Sequence, residues 1–142
     1  MNIYTLGSSQ KSAEEFFKLI NDNNIEILID VRLNNKSQLL GFTKGRDLEY
    51  FLKQLSNSDY VHEVNLAPTK EILDAYKKKE ISWGEYEVQY NDLLEKRDII
   101  DYFNNKYGKY GNLVLLCSEP TPENCHRRLL AEFVSKDKII HL

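Results

Sequence analysis

The chain has 142 residues, 42% hydrophobic and 29% charged, with a net charge of -3 and a pI of about 5.6. A chain of this length buries roughly two-thirds of its unfolded surface, so a largely disordered state is excluded and its core needs no disulfide or metal staples. The acidic balance weighs against broad nucleic-acid binding, which rests on neutralising phosphates. The apolar runs are too short to span a bilayer, so no membrane partner is expected. No basic segment followed by a long apolar one trails Met1, and a single cytoplasmic domain over residues 1–142 is the expectation.

Taken in chain order, Ile3 to Leu6 reads as a strand that ends in the turn Gly7-Ser8-Ser9. Ser12 and Glu15 have the spacing of a capping box, and Phe16, Phe17, Leu19 and Ile20 continue at helical spacing. Ile25 to Val31 is a nearly continuous apolar run, as in a strand buried on both faces. Residues 33–45 read as a long polar loop, and Arg46 to Leu55 as a helix. Tyr60 to Leu66 follows as a third strand, and Thr69 caps a helix through Lys79. A second capping box, Ser82 with Glu85, opens a helix whose apolar stripe carries Trp83, Tyr86 and Tyr90. The Lys77-Lys78-Lys79 run reads as a solvated helix end, and the aromatic stripe as core rather than as a base-stacking platform. Ile99 to Tyr107 is a further helix, and Leu113 to Cys117 a core strand. Thr121-Pro122 suits a helix start, with Thr as N-cap, and Ile139 to Leu142 is a last short strand. The order implies an α/β fold: a mainly parallel sheet of about five strands with helices on both faces, a Rossmann-like three-layer sandwich.

Ligands of such sheets bind beyond the carboxyl ends of the strands. Those ends carry Ser8 and Ser9, Asp30 and Arg32, and Cys117 and Glu119, followed by Cys125, His126, Arg127 and Arg128. Three of the five arginines fall there. A helical wheel puts His126 on the buried face and Arg127 on its flank, both able to aim over the sheet edge, with Arg128 and Cys125 turned toward solvent or a neighbouring loop. Cys117, Asp30, Glu119 and His126 are the catalytic candidates, Cys117 as nucleophile and the others as acid or base. Ser8, Ser9, Arg32, Cys125 and Arg127 are the ligand-binding candidates, the arginines gripping an anion and a helix start near Thr121 to Cys125 adding backbone donors. Plainer roles stand beside these. Cys117 also suits an inert core thiol, His126 a core histidine bonded to a carbonyl, and Asp30 and Arg32 an ion pair with Arg127 or Glu119.

Metal is not expected: Cys125 and His126, as neighbours on a helix, point about 100° apart, which makes joint ligation awkward. No cofactor is expected either. Gly-rich nucleotide loops are absent, as is a phosphatase loop with Arg six residues after Cys.

Gly7-x-Ser9, Asp30-Val31-Arg32, Leu66-Ala67-Pro68, and above all Cys117-x-Glu119 followed by Cys125-His126-Arg127 resemble the domain of unknown function 488 family. The resemblance runs from Ile3 to His141 and implies a compact α/β domain, with no activity attached to it. Two positions depart from the family's pattern. Ser8 stands where that family often has His, and Leu33-Asn34-Asn35-Lys36 stands where it often has Pro and several Arg.

The expected function is an enzyme-like site for an anionic or phosphorylated, nucleotide-like small molecule, with hydrolysis or group transfer as its chemistry. One alternative is a non-catalytic interaction module accessory to a nucleic-acid enzyme, using Lys36, Lys44 and Arg46 of the long loop. Another is a redox protein that cycles a Cys117–Cys125 disulfide. For the enzyme, a pocket lined by Ser9, Asp30, Arg32, Cys117, Glu119, His126 and Arg127 is expected, with both arginines within about 10 Å of Cys117. Arg127 is expected to bond a carboxylate or a bound anion.

Overall fold

Apolar side chains that alternate along a strand must be buried on both faces of the sheet, and that requirement organises this molecule. The computed structural model describes residues 1–36, 41–135 and 137–142; positions 37–40 of the polar stretch lie outside the described residues. Five parallel strands, β1 (Asn2–Gly7), β2 (Ile27–Asp30), β3 (Asp59–His62), β4 (Asn112–Cys117) and β5 (Ile139–His141), stand in the order β3-β2-β4-β1-β5. On β2 and β4, Ile27, Ile29, Leu113, Leu115 and Cys117 enter one core, while Leu28, Val114 and Leu116 enter the other.

The first core is covered by α3 (Lys70–Lys77), α4 (Trp83–Lys96), α5 (Ile99–Tyr107) and α6 (His126–Val134). The second is covered by α1 (Ala13–Asp22) and α2 (Gly45–Ser56). This is the three-layer α/β sandwich expected from the order of elements. Right-handed crossovers explain the division: α1 and α2 carry the chain toward β3, and the later helices carry it back, so they take opposite faces. β4, the central strand, therefore leaves its carboxyl end toward one face while its neighbours β1 and β2 leave toward the other. That divergence opens a crevice at Cys117.

Two element boundaries differ from the sequence reading by more than two residues. β3 stops at His62, and Val64–Leu66 form a short 3-10 turn instead of continuing the strand. The turn carries Leu66 inward, where its carbonyl accepts from the Tyr90 hydroxyl at 2.6 Å. The last helix starts at His126 rather than after Thr121, with Cys125 as its N-cap in extended backbone. Thr121 to Asn124 are spent on bends and a turn, so the expected backbone donors between Thr121 and Cys125 are not helical ones. Thr-Pro suits either role locally; the packing of the 118–120 segment over β1 decides. A Cβ at Gly7 would lie only 2.0 Å from the Glu119 carbonyl oxygen, so glycine is what lets that segment cross.

Candidate functional site

Cys117 closes the central strand, and the pleat turns its side chain to the face that α4 and α6 cover. Because Cys125 is an extended N-cap, its sulfur folds back toward the strand and does not continue the helical wheel. Both thiols are free and buried. The ligand atoms of Cys117, Cys125 and His126 all lie within 4.8 Å of one another. Two expectations are corrected here. Cys125 does not face solvent, and Cys125 and His126 do not diverge, since only one of them obeys the 100° spacing.

His126 Nε2 lies 2.7 Å from the Val31 carbonyl oxygen. A carbonyl only accepts, so Nε2 carries a proton, and it is Nδ1 that can serve as an acceptor when the ring carries that proton alone. Nδ1 lies 3.6 Å and Nε2 3.7 Å from Cys117 Sγ. The Cys117 thiol is held below its ordinary value, chiefly by the Cys125 S–H that bonds to it and against the upward push of burial. The backbone N–H groups of Ser118 and Glu119 and the charge of Arg127 act in the same downward direction. That same bond and burial push the Cys125 thiol up. Of the two thiols, Cys117 is therefore the one whose thiolate form is favoured.

Arg127 is completely buried. Its Nη1 donates to the Glu119 backbone carbonyl at 2.7 Å and to Cys125 Sγ at 3.2 Å, not to a carboxylate as the sequence suggested. Nε has no partner among the described residues. Arg32 is placed differently. Its Nε and Nη2 fork onto Asp30 at 2.8 and 2.7 Å, and Nη2 also donates to the Thr43 carbonyl at 2.7 Å. The Tyr60 hydroxyl donates to Asp30 Oδ2 at 2.6 Å and accepts from Asn35. The ion pair is thus internal to Asp30 and Arg32, and neither Arg127 nor Glu119 joins it.

A cleft of about 460 Å³ opens above Cys117. Arg32, Cys117, Glu119, Cys125 and His126 line it, so sequence reasoning placed five of its residues. Ser8, Ser9, Asp30 and Arg127 do not line it. Ser8 and Ser9 brace the rim: their backbone N–H groups donate to the carbonyls of Cys117 and Ser118, and the Ser9 hydroxyl donates to Ser118 as well. Asp30 lies beneath Arg32 with no exposed surface, which removes it from the acid–base candidates on the cleft. The opposite wall was missed. It consists of Lys70, Leu73, Asp74, Tyr76 and Lys77 of α3 and of Trp83 and Tyr86 of α4. Trp83 stacks on Tyr86 at a centroid distance of 4.7 Å, and Tyr76 meets both rings. The aromatic stripe is core along Tyr86 and Tyr90 and cleft wall at its amino end. The signal for this was available only as composition, a Lys-Tyr-Lys-Trp mixture at the junction of two helices. Arg128, as expected, stays at the surface with Glu132 and Glu87.

Fold and site together define an α/β protein of the doubly wound parallel type, with a thiol-bearing cleft at the end of its central strand. The chain belongs to the family described as Domain of unknown function DUF488, whose model matches residues 12–134. No curated protein and no solved structure matches it. Among the described residues, no helix is long and apolar enough to cross a membrane.

Proposed function

We propose that this protein is a thiol-dependent enzyme acting on an anionic or phosphorylated, nucleotide-sized small molecule by hydrolysis or group transfer. The observation that carries the reading is a thiol held below its ordinary value on the wall of a cleft that Lys70, Lys77 and aromatic rings line together with Asp74 and Glu119. The volume suits a small organic ligand. Lys70 and Lys77 supply positive charge around it, and Trp83 and Tyr76 supply apolar surface for a planar group. Arg127 contributes from behind, through the thiols rather than by touching the ligand.

Chemically, Cys117 Sγ attacks the electrophilic atom of the substrate. An S–X bond forms as the bond from X to the leaving group breaks, and the leaving group keeps the bonding pair and takes a proton from solvent. Water, or an acceptor hydroxyl in a transfer, then attacks X and gives its proton to His126 Nδ1. The S–X bond breaks, the thiolate is restored, and His126 returns the proton to solvent. The test is a melting-temperature screen of nucleotides and sugar phosphates, run with chelator and reductant present. A rise with one anion class is expected, retained in Cys117→Ser while turnover of that compound is lost. No rise with any anion, together with Cys117 alkylating no faster than an ordinary thiol, would overturn the reading.

A further inference from the structure

A second chemistry is built into the same three side chains. Tetrahedral zinc with thiolate and imidazole ligands has metal–sulfur distances of about 2.3 Å and metal–nitrogen distances of about 2.0–2.1 Å. Simple geometry then sets the edges of the tetrahedron at about 3.6 Å for S···N and about 3.8 Å for S···S. Cys117 Sγ and His126 Nδ1 already stand 3.6 Å apart, and all three ligand atoms lie within 4.8 Å of one another. We infer that Cys117, Cys125 and His126 form a binding site for a soft divalent cation of the zinc type, with three protein ligands and a fourth position open to the cleft.

Three features around the ligands support the assignment. His126 already donates its other ring nitrogen to a carbonyl, that of Val31, which is the second contact that fixes a ligating imidazole. Arg127 Nη1 donates to Cys125 Sγ, so one sulfur has an outer hydrogen bond in place. Arg32, on the cleft wall, is neutralised by its fork onto Asp30, and the remaining buried charge, Arg127, is directed at the Cys125 sulfur, where the thiolate of a bound site would offset it. Two thiolates would balance the charge of the metal, and soft sulfur donors select zinc over magnesium or calcium. All three ligands are buried, while Glu119 and the cleft stand on the open side.

The inference uses residues of the proposed enzyme site but does not depend on the substrate. Its consequence there is a reversible block: a sulfur whose electron pair is committed to the metal does not attack. The two readings separate experimentally, because the anion screen is run without metal and metal binding is measured without any anion.

The experiment titrates the reduced chain with zinc alone against a chromophoric chelator. One ion per chain is expected. Cys117→Ser, Cys125→Ser and His126→Gln should each weaken binding by more than the roughly 10–100-fold that loss of an outer contact costs. Arg128→Ala, on the surface, should leave binding unchanged. Iodoacetamide labelling of Cys117 should stop on addition of zinc and return on chelation. Cobalt added to the unaltered protein gives a readout that requires no variant to fold: thiolate-to-metal charge-transfer bands with the strong visible bands of a tetrahedral ion. Cobalt without these bands, or zinc bound equally well by the Cys117→Ser, Cys125→Ser double variant, overturns the site. So does labelling of Cys117 that zinc leaves unchanged.

Discussion

Arg32 and Arg127 are both buried at the carboxyl rim of one sheet, yet they solve the problem of a buried charge in opposite ways. Arg32 meets a carboxylate in a two-pronged fork, and that carboxylate is in turn held by Tyr60. Arg127 makes no ion pair among the described residues, has one nitrogen without a partner, and spends Nη1 on a carbonyl and a sulfur. A buried charge without a counter-charge costs several kcal/mol. The first arrangement is therefore a strut that holds the loop after β2. The second is a local positive field whose nearest place for a negative charge is the thiol pair. Two residues of the same type at one rim thus divide into a support and an electrostatic device.

The sharpest way to break this comparison is Asp30→Ala. It strands Arg32 without its partner and should lower stability by about 3–5 kcal/mol in urea denaturation. A loss as small as that of an ordinary surface change would mean the fork is not a strut. Tyr60→Phe removes one hydrogen bond to the same carboxylate and should cost about 1.5–3 kcal/mol by the same measurement. Gly7→Ala forces the Glu119 carbonyl away from β1 and from Arg127, with an expected loss of about 1–3 kcal/mol and slower labelling of Cys117.

Arg127→Met gives the smallest change in stability and the most informative one. Replacing an uncompensated buried cation by an apolar chain of similar size should alter stability by less than about 1.5 kcal/mol, in either direction. Its effect belongs in the pH profile. In the unaltered protein, iodoacetamide labelling of Cys117 should rise with pH and level off below the ordinary thiol midpoint of about 8.5, because only the thiolate reacts. Arg127 favours that thiolate, so Arg127→Met should move the midpoint upward. An unchanged midpoint would reduce Arg127 to a packing residue and erase the contrast with Arg32.

Much of this architecture was legible in the chain because its signals are local. The apolar runs of β2 and β4 mark the strands that lie inside the sheet, since only strands covered on both faces need such continuity. Ser12, Thr69 and Ser82 cap α1, α3 and α4 where the spacing of hydroxyl and following residues places them. The pairing of strand ends with Asp30, Arg32, Cys117 and His126 follows from a general property of parallel sheets rather than from detail. The strand beyond His62 was misread because Val64 and Leu66 are apolar in either conformation, and only the pull of Leu66 beneath Tyr90 distinguishes them.

What the sequence by itself determined was therefore the alternation of strands and helices, the central place of β4 and the set of polar residues at its end. Tertiary structure alone decided what those residues do to one another. Cys125 turns inward because the 118–124 segment consumes the residues that a helix would have used, and a one-residue change of role, from helix interior to N-cap, reverses the direction of its sulfur. Lys70, Tyr76, Lys77 and Trp83 become the far wall of the cleft because α3 and α4 cross back over the sheet some forty residues before Cys117. Directions and distances of this kind depend on how layers pack, and no local pattern of residue types carries them.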